Sequence, residues 1–109
     1  MPSAGAPPVD DVFGALAHPI RRQLLIELAR RDRTVSELAA PLPISRPAVS
    51  QHLSVLREVG LVRVERSGRE QRYRLRPEAL RACRDWLATI DDFWSQHLQQ
   101  LSRHLEKHG

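Results

Sequence analysis

A chain of 109 residues, 41% apolar and 28% charged, has the size and balance of one globular domain. It contains no apolar run near the roughly eighteen residues of a membrane helix and no basic-then-apolar leader, so membrane insertion and export are not expected and the cytoplasm is the expected compartment. A single cysteine, Cys83, excludes an internal disulfide, in keeping with a reducing compartment.

Residues 1–8 hold three prolines, Gly5 and small side chains, which predicts a disordered tail ahead of one domain at residues 9–109. Val9, Val12, Phe13 and Leu16 then repeat at helical spacing, with Asp10 or Asp11 available as a cap. His18-Pro19 opens a second helix whose inner face is Ile20, Leu24, Leu25 and Leu28, leaving Arg21 and Arg22 outside. Thr34 and Glu37 have the spacing of a capping box and start a short third helix, which Pro41 and Pro43 close.

The next helix carries most of the functional information. Ser45 is a good N-cap, Pro47 fits the first turn, and Gly60 suits the left-handed position after a helix end, so the helix should run from Arg46 to Glu58. Helical periodicity puts Val49, Leu53 and Leu56 on one side and Pro47, Ser50, Gln51 and Ser54 on the other, with Arg46 and Arg57 beside them. Small hydroxyls allow close backbone approach to a major groove, and an amide or guanidinium can read base edges there. A plain solvated face is the competing reading. Two helices joined by a tight turn, here the third and fourth, make a helix-turn-helix.

From Leu61 to Arg66 and from Gln71 to Arg76, apolar and charged residues alternate around Ser67-Gly68-Arg69, which predicts a β-hairpin wing. Between Ile44 and Arg76 eight arginines oppose Glu58, Glu65 and Glu70, a net +5, while the rest of the chain sums to −1. Charge confined to the reading helix and the wing is the footprint of a phosphate-binding surface, for which Arg66, Arg69 and Arg72 are the wing candidates.

No Gly or Pro interrupts residues 78–108, where Leu80, Cys83, Leu87, Ile90, Trp94, Leu98, Leu101 and Leu105 step by threes and fours. A helix of that length outruns the core that the preceding elements can build, so its outer half, enlarged by Trp86 and Phe93, should bury itself in a symmetric homodimer. Folding back on its own domain is the alternative.

Three strings in order, Leu16-Ala17-His18-Pro19 with Arg21-Arg22 and Leu24-Leu25, then Ser36-Glu37-Leu38-Ala39, then Pro47 to Leu53 running through Val55-Leu56-Arg57-Glu58 to Gly60-Leu61-Val62, resemble ArsR/SmtB-type repressors. The resemblance covers roughly residues 12–76. It implies a mainly α fold with a small β-hairpin, the winged helix-turn-helix, in a dimeric bacterial regulator of double-stranded operator DNA. Ser45, at the head of the fourth helix, is counted with the DNA-facing residues. The first and last helices would form the dimer contact, here Val12, Phe13 and Leu16 with Leu87, Ile90, Phe93, Trp94, Leu98 and Leu101.

Many relatives sense metals through a Cys-x-Cys pair on the first helix of the helix-turn-helix, and here that segment reads Glu37-Leu38-Ala39-Ala40-Pro41-Leu42. A second family pattern, Asp-x-His with His-x-x-Glu or His-x-x-His, is not met by Ser95-Gln96-His97 and by His104 and His108 four apart. No metal or other cofactor is therefore expected, and no effector is named by any motif. Cys83 falls on the apolar stripe as a packing residue and His52 beside the core face of the reading helix. Nothing converges into a catalytic constellation, so an enzyme is not expected. The readings from other classes are an atypical metal or thiol sensor and a winged helix that binds protein instead of DNA.

Overall fold

The computed structural model describes residues 9–108, so the tail expected at residues 1–8 lies outside it. In order come α1 (Val9–Leu16), α2 (Pro19–Arg30), β1 (Arg33–Thr34), α3 (Val35–Ala39), α4 (Arg46–Glu58), β2 (Val62–Ser67), β3 (Glu70–Leu75) and α5 (Glu78–His108). This is a mostly helical winged helix with a three-stranded antiparallel sheet in the order β1-β3-β2.

Local chemistry accounts for most boundaries. Thr34 caps α3 through the full box: its hydroxyl accepts from the Glu37 N–H at 3.2 Å, and its own N–H donates to Glu37 Oε1 at 3.1 Å. The Ser45 hydroxyl accepts from the Ala48 N–H at the head of α4. At the other end Gly60, with φ of 79°, lets the Leu61 N–H donate back to the Leu56 carbonyl at 2.9 Å and its own N–H to the Arg57 carbonyl at 3.1 Å. That pair of hydrogen bonds is a Schellman closure, and Leu56 and Leu61, the positions whose apolar contact accompanies such a closure, are both fully buried.

Three details differ from the sequence expectation. Helix α1 already includes Val9, so Asp10 and Asp11 lie in its first turn, where their charge suits the helix dipole, and neither is the cap. The hairpin is shifted, with strands at Val62–Ser67 and Glu70–Leu75, because the Leu61 N–H is spent on closing α4. The third strand, β1, was not anticipated; it pairs Arg33 with Tyr73 and Thr34 with Arg72.

The core forms where α2, α3 and α4 meet beneath the sheet: Leu24, Leu38, Val49, Leu53, Leu56 and Leu61 are fully buried. Val62 and Tyr73 close it from the hairpin, Val12 and Ala15 from α1, and Ala79 and Cys83 from the base of α5. Helix α5 is continuous over 31 residues, about 46 Å at 1.5 Å per residue. Only its first turns are anchored; from Asp91 to Glu106 every side chain is exposed.

Candidate nucleic-acid interface

Helix α4 is pinned by Val49, Leu53 and Leu56, each without solvent contact, so its opposite face must look outward. Ser45, Arg46, Pro47, Gln51, Ser54 and Arg57 are exposed and Ser50 is half-buried. Burying one stripe of three apolar residues thus presents the expected reading face as one surface. Arg46, at the head of the helix, donates to the Ser36 hydroxyl of α3.

The flank of α4 nearest α2 carries a basic cluster. Arg21 Nε donates to His52 Nδ1 at 3.2 Å, and the His18 and His52 rings lie 4.7 Å apart. An acceptor at Nδ1 requires a neutral ring protonated at Nε2. Desolvation, and then the nearby His18 and Arg21, hold His52 below its ordinary 6.5. His52 therefore ties α2 to α4, and Arg21 is spent on that tie. Arg22 instead donates to the Leu16 carbonyl at 2.8 Å, closing α1.

A depressed histidine pKa has a defined sign in stability. At pH above 6.5 the ring is neutral whether folded or unfolded; below it the unfolded chain takes up the proton first, so stability falls with falling pH. Urea midpoints measured at pH 7.5 and 5.5 should drop less for His52→Gln than for the parent, since the glutamine oxygen still accepts from Arg21 and does not titrate. Equal drops would show that His52 is not the titrating tie.

The wing carries its arginines on two faces. A two-residue turn, Gly68-Arg69 with Gly68 at φ 64°, sets the register. Val62 then faces Leu75, Val64 faces Tyr73 and Arg66 faces Gln71 on one face, whereas Arg63–Arg74 and Glu65–Arg72 fall on the other. On that second face the arginines are neutralised: Arg74 meets Asp32 at 2.8 Å and Glu65 at 3.3 Å, and Arg63 meets Glu65 at 3.0 Å. Arg72, also expected on the DNA surface, is held by Glu70 at 3.4 Å and Glu37 at 3.6 Å, on the hairpin face opposite Arg66. The Thr34 hydrogen bonds first, and then Arg72 and Arg31, keep the Glu37 carboxyl below its usual value and charged to receive it.

The apolar stripe of α5 divides between two situations. Val12 is 1% exposed, buried by its own chain, and offers no surface to a second one, contrary to its expected place in an interface. Phe13 and Leu16 are half-buried against the core, Phe13 packing edge-on to Trp86 at 5.5 Å. Ile90 is half-buried, whereas Leu87, Phe93, Trp94, Leu98 and Leu101 stand in solvent. Phe93 and Trp94 pack around the His97 ring. Cys83 is buried and burial raises its pKa, which disfavours the thiolate. Among the described residues no three histidine, cysteine or acidic side chains are placed to hold a metal ion.

The geometry has relatives. Residues 18–64 match the profile described as bacterial regulatory protein, arsR family. The HTH-type transcriptional regulator Rv2034 of Mycobacterium tuberculosis is 39% identical over 100 residues, covering 92% of this chain and 91% of that one. The chain belongs to the ArsR family. Another relative, the HTH-type transcriptional repressor SmtB of Mycobacterium tuberculosis, is 41% identical over 81 residues, covering 68% of this chain and 60% of its own. Among solved structures, an ArsR-like transcriptional regulator from Rhodococcus sp. RHA1 superimposes with a TM-score of 0.73 at 37% identity, over 87% of this chain and 90% of that one. Membership makes the chain a DNA-binding transcriptional regulator and not an enzyme, as its residues already suggested. No described helix is long and apolar enough to cross a membrane.

Proposed function

We propose that this ArsR-family chain is a cytoplasmic homodimeric repressor that seats α4 of each protomer in the major groove of operator DNA. Gln51, Ser50 and Ser54 face the base edges, Ser45, Arg46, Pro47 and Arg57 lie against the flanking strand, and Arg66 and Arg69 of the wing reach the adjoining backbone or minor groove. The observation that carries this reading is α4 itself, locked inward by three fully buried residues while its small, polar face stands in solvent. The exposed outer half of α5 supports dimerisation, since a patch of that size normally marks an interface.

Selection of bound sequences from random duplex DNA tests the proposal directly. It should return paired half-sites centred about one helical turn, or a small multiple of it, apart. Gln51→Ala should relax base preference at one position per half-site, at roughly 1 to 3 kcal/mol. A selected pattern identical to the parent's would remove Gln51 from the reading residues, and failure to enrich any sequence would remove the function.

A further inference from the structure

A cleft of about 390 Å3 opens between the start of α3, the head of α4 and the tip of the wing, lined by Ser36, Arg46, Arg66, Arg69, Glu70 and Gln71 among others. Its three guanidiniums differ from those on the other hairpin face. There Arg63, Arg72 and Arg74 each have a carboxylate partner. Among the described residues Arg66 and Arg69 have none, and Arg46 donates to a neutral hydroxyl, so its charge is uncompensated. The acid of the cleft, Glu70, is already engaged by Arg72.

Like charges brought to one cleft from separate segments repel one another, and an anion bound among them relieves that repulsion. Planar guanidiniums suit tetrahedral oxyanions, to which each can donate two hydrogen bonds. Arg46 enters the cleft from the head of α4, and Arg66 and Arg69 enter it from the wing.

We propose that this cleft is a phosphate site in which the wing and the helix-turn-helix close together on a single phosphodiester of the bound DNA strand. The inference rests on the DNA-binding reading and goes beyond it: the wing and α4 share one backbone phosphate. Glu70 at the rim weakens the site, and Gln71 adds a neutral donor.

Two arms test it. In the first, pyrophosphate is titrated into the free protein and the arginine Nε–H resonances are followed by NMR. Arg46, Arg66 and Arg69 should shift together and Arg63 should not; no shift, or a shift spread evenly over the exposed arginines, overturns the phosphate site whether or not an operator is known. In the second, selected operator duplexes carry a neutral methylphosphonate at each backbone position in turn. One position per half-site should cost the parent about tenfold in affinity, the scale of one charge-assisted hydrogen-bonded contact. Arg46→Ala and Arg69→Ala should each lose about as much on the unmodified duplex and nothing more on that modified one, because both act on the same phosphate. Glu70→Gln should tighten binding to the unmodified duplex only. Losses that map to two different phosphates, or to none, overturn the shared clamp even when the parent binds its operator normally.

Discussion

Glutamate in place of Leu98 is expected to turn a dimer into a folded monomer. Leu98 is 57% exposed and lies beyond the part of α5 that touches the core, so a charge there meets water in the isolated chain and costs the fold little. Across an apolar interface the same unpaired charge costs several kcal/mol, enough to shift the association constant by a factor of hundreds or more. Ile90 is a poorer place for the same experiment: it is half-buried in its own chain, and Ile90→Glu would damage the monomer as well. Sedimentation velocity and far-ultraviolet circular dichroism together read the outcome. A monomer that keeps its helical spectrum supports an interface along outer α5; a Leu98→Glu protein that still sediments as a dimer puts the interface elsewhere.

The largest loss of stability should come from Leu53→Ala. Leu53 is fully buried at the middle of α4, within the core cluster, where a removed isobutyl group leaves a cavity that neighbours pinned by their own packing cannot fill. The expected cost is about 2 to 5 kcal/mol, a large part of the roughly 5 to 15 kcal/mol that holds a domain together. Its neighbour Ser54 points outward, and Ser54→Ala should change stability by less than about 0.5 kcal/mol while affecting DNA binding. Urea unfolding of the two variants separates the inner face of α4 from the outer one. Equal midpoints would mean that α4 is not seated on the core by the stripe that includes Leu53.

What could be read in the sequence was what neighbouring residues decide among themselves. The Thr34–Glu37 box, the Ser45 cap and the Gly60 closure each depend on residues within about a turn, and both ends of α4 followed from them. Strand β1 was not legible because two residues have no periodicity of their own; Arg33 is extended by pairing with Tyr73, forty positions later in the chain. The displaced start of the hairpin has the same origin, since two structures compete for the Leu61 N–H and the helix end takes it. Among the site residues, the outward face of α4 was visible as helical spacing. The separation of Arg72 from Arg66 left a trace that could have been followed, because a turn at Gly68-Arg69 places Glu65 opposite Arg72 and alternation then puts Arg66 on the other face. The place of Ser36 beside Arg46 left none, as their meeting depends on the packing of α3 on α4. Apolar spacing in α1 announced a buried face without saying which chain buries it, and Val12 is covered by its own.

Leu61 belongs to two elements at once: its N–H completes the end of α4, and its carbonyl accepts the Arg76 N–H at 2.7 Å at the root of the hairpin. No slack separates α4 from the wing, and this constrains how the sequence can change in length. One residue inserted between Gly60 and Val62 would exchange the two faces of β2, sending Val62 and Val64 into solvent and Arg63 toward the core. At the far end, near Gly68, residues added in pairs lengthen both strands without altering which side chains face inward. Wings of different reach are therefore available to this fold only through growth at the tip, while the joint to the helix stays fixed in length.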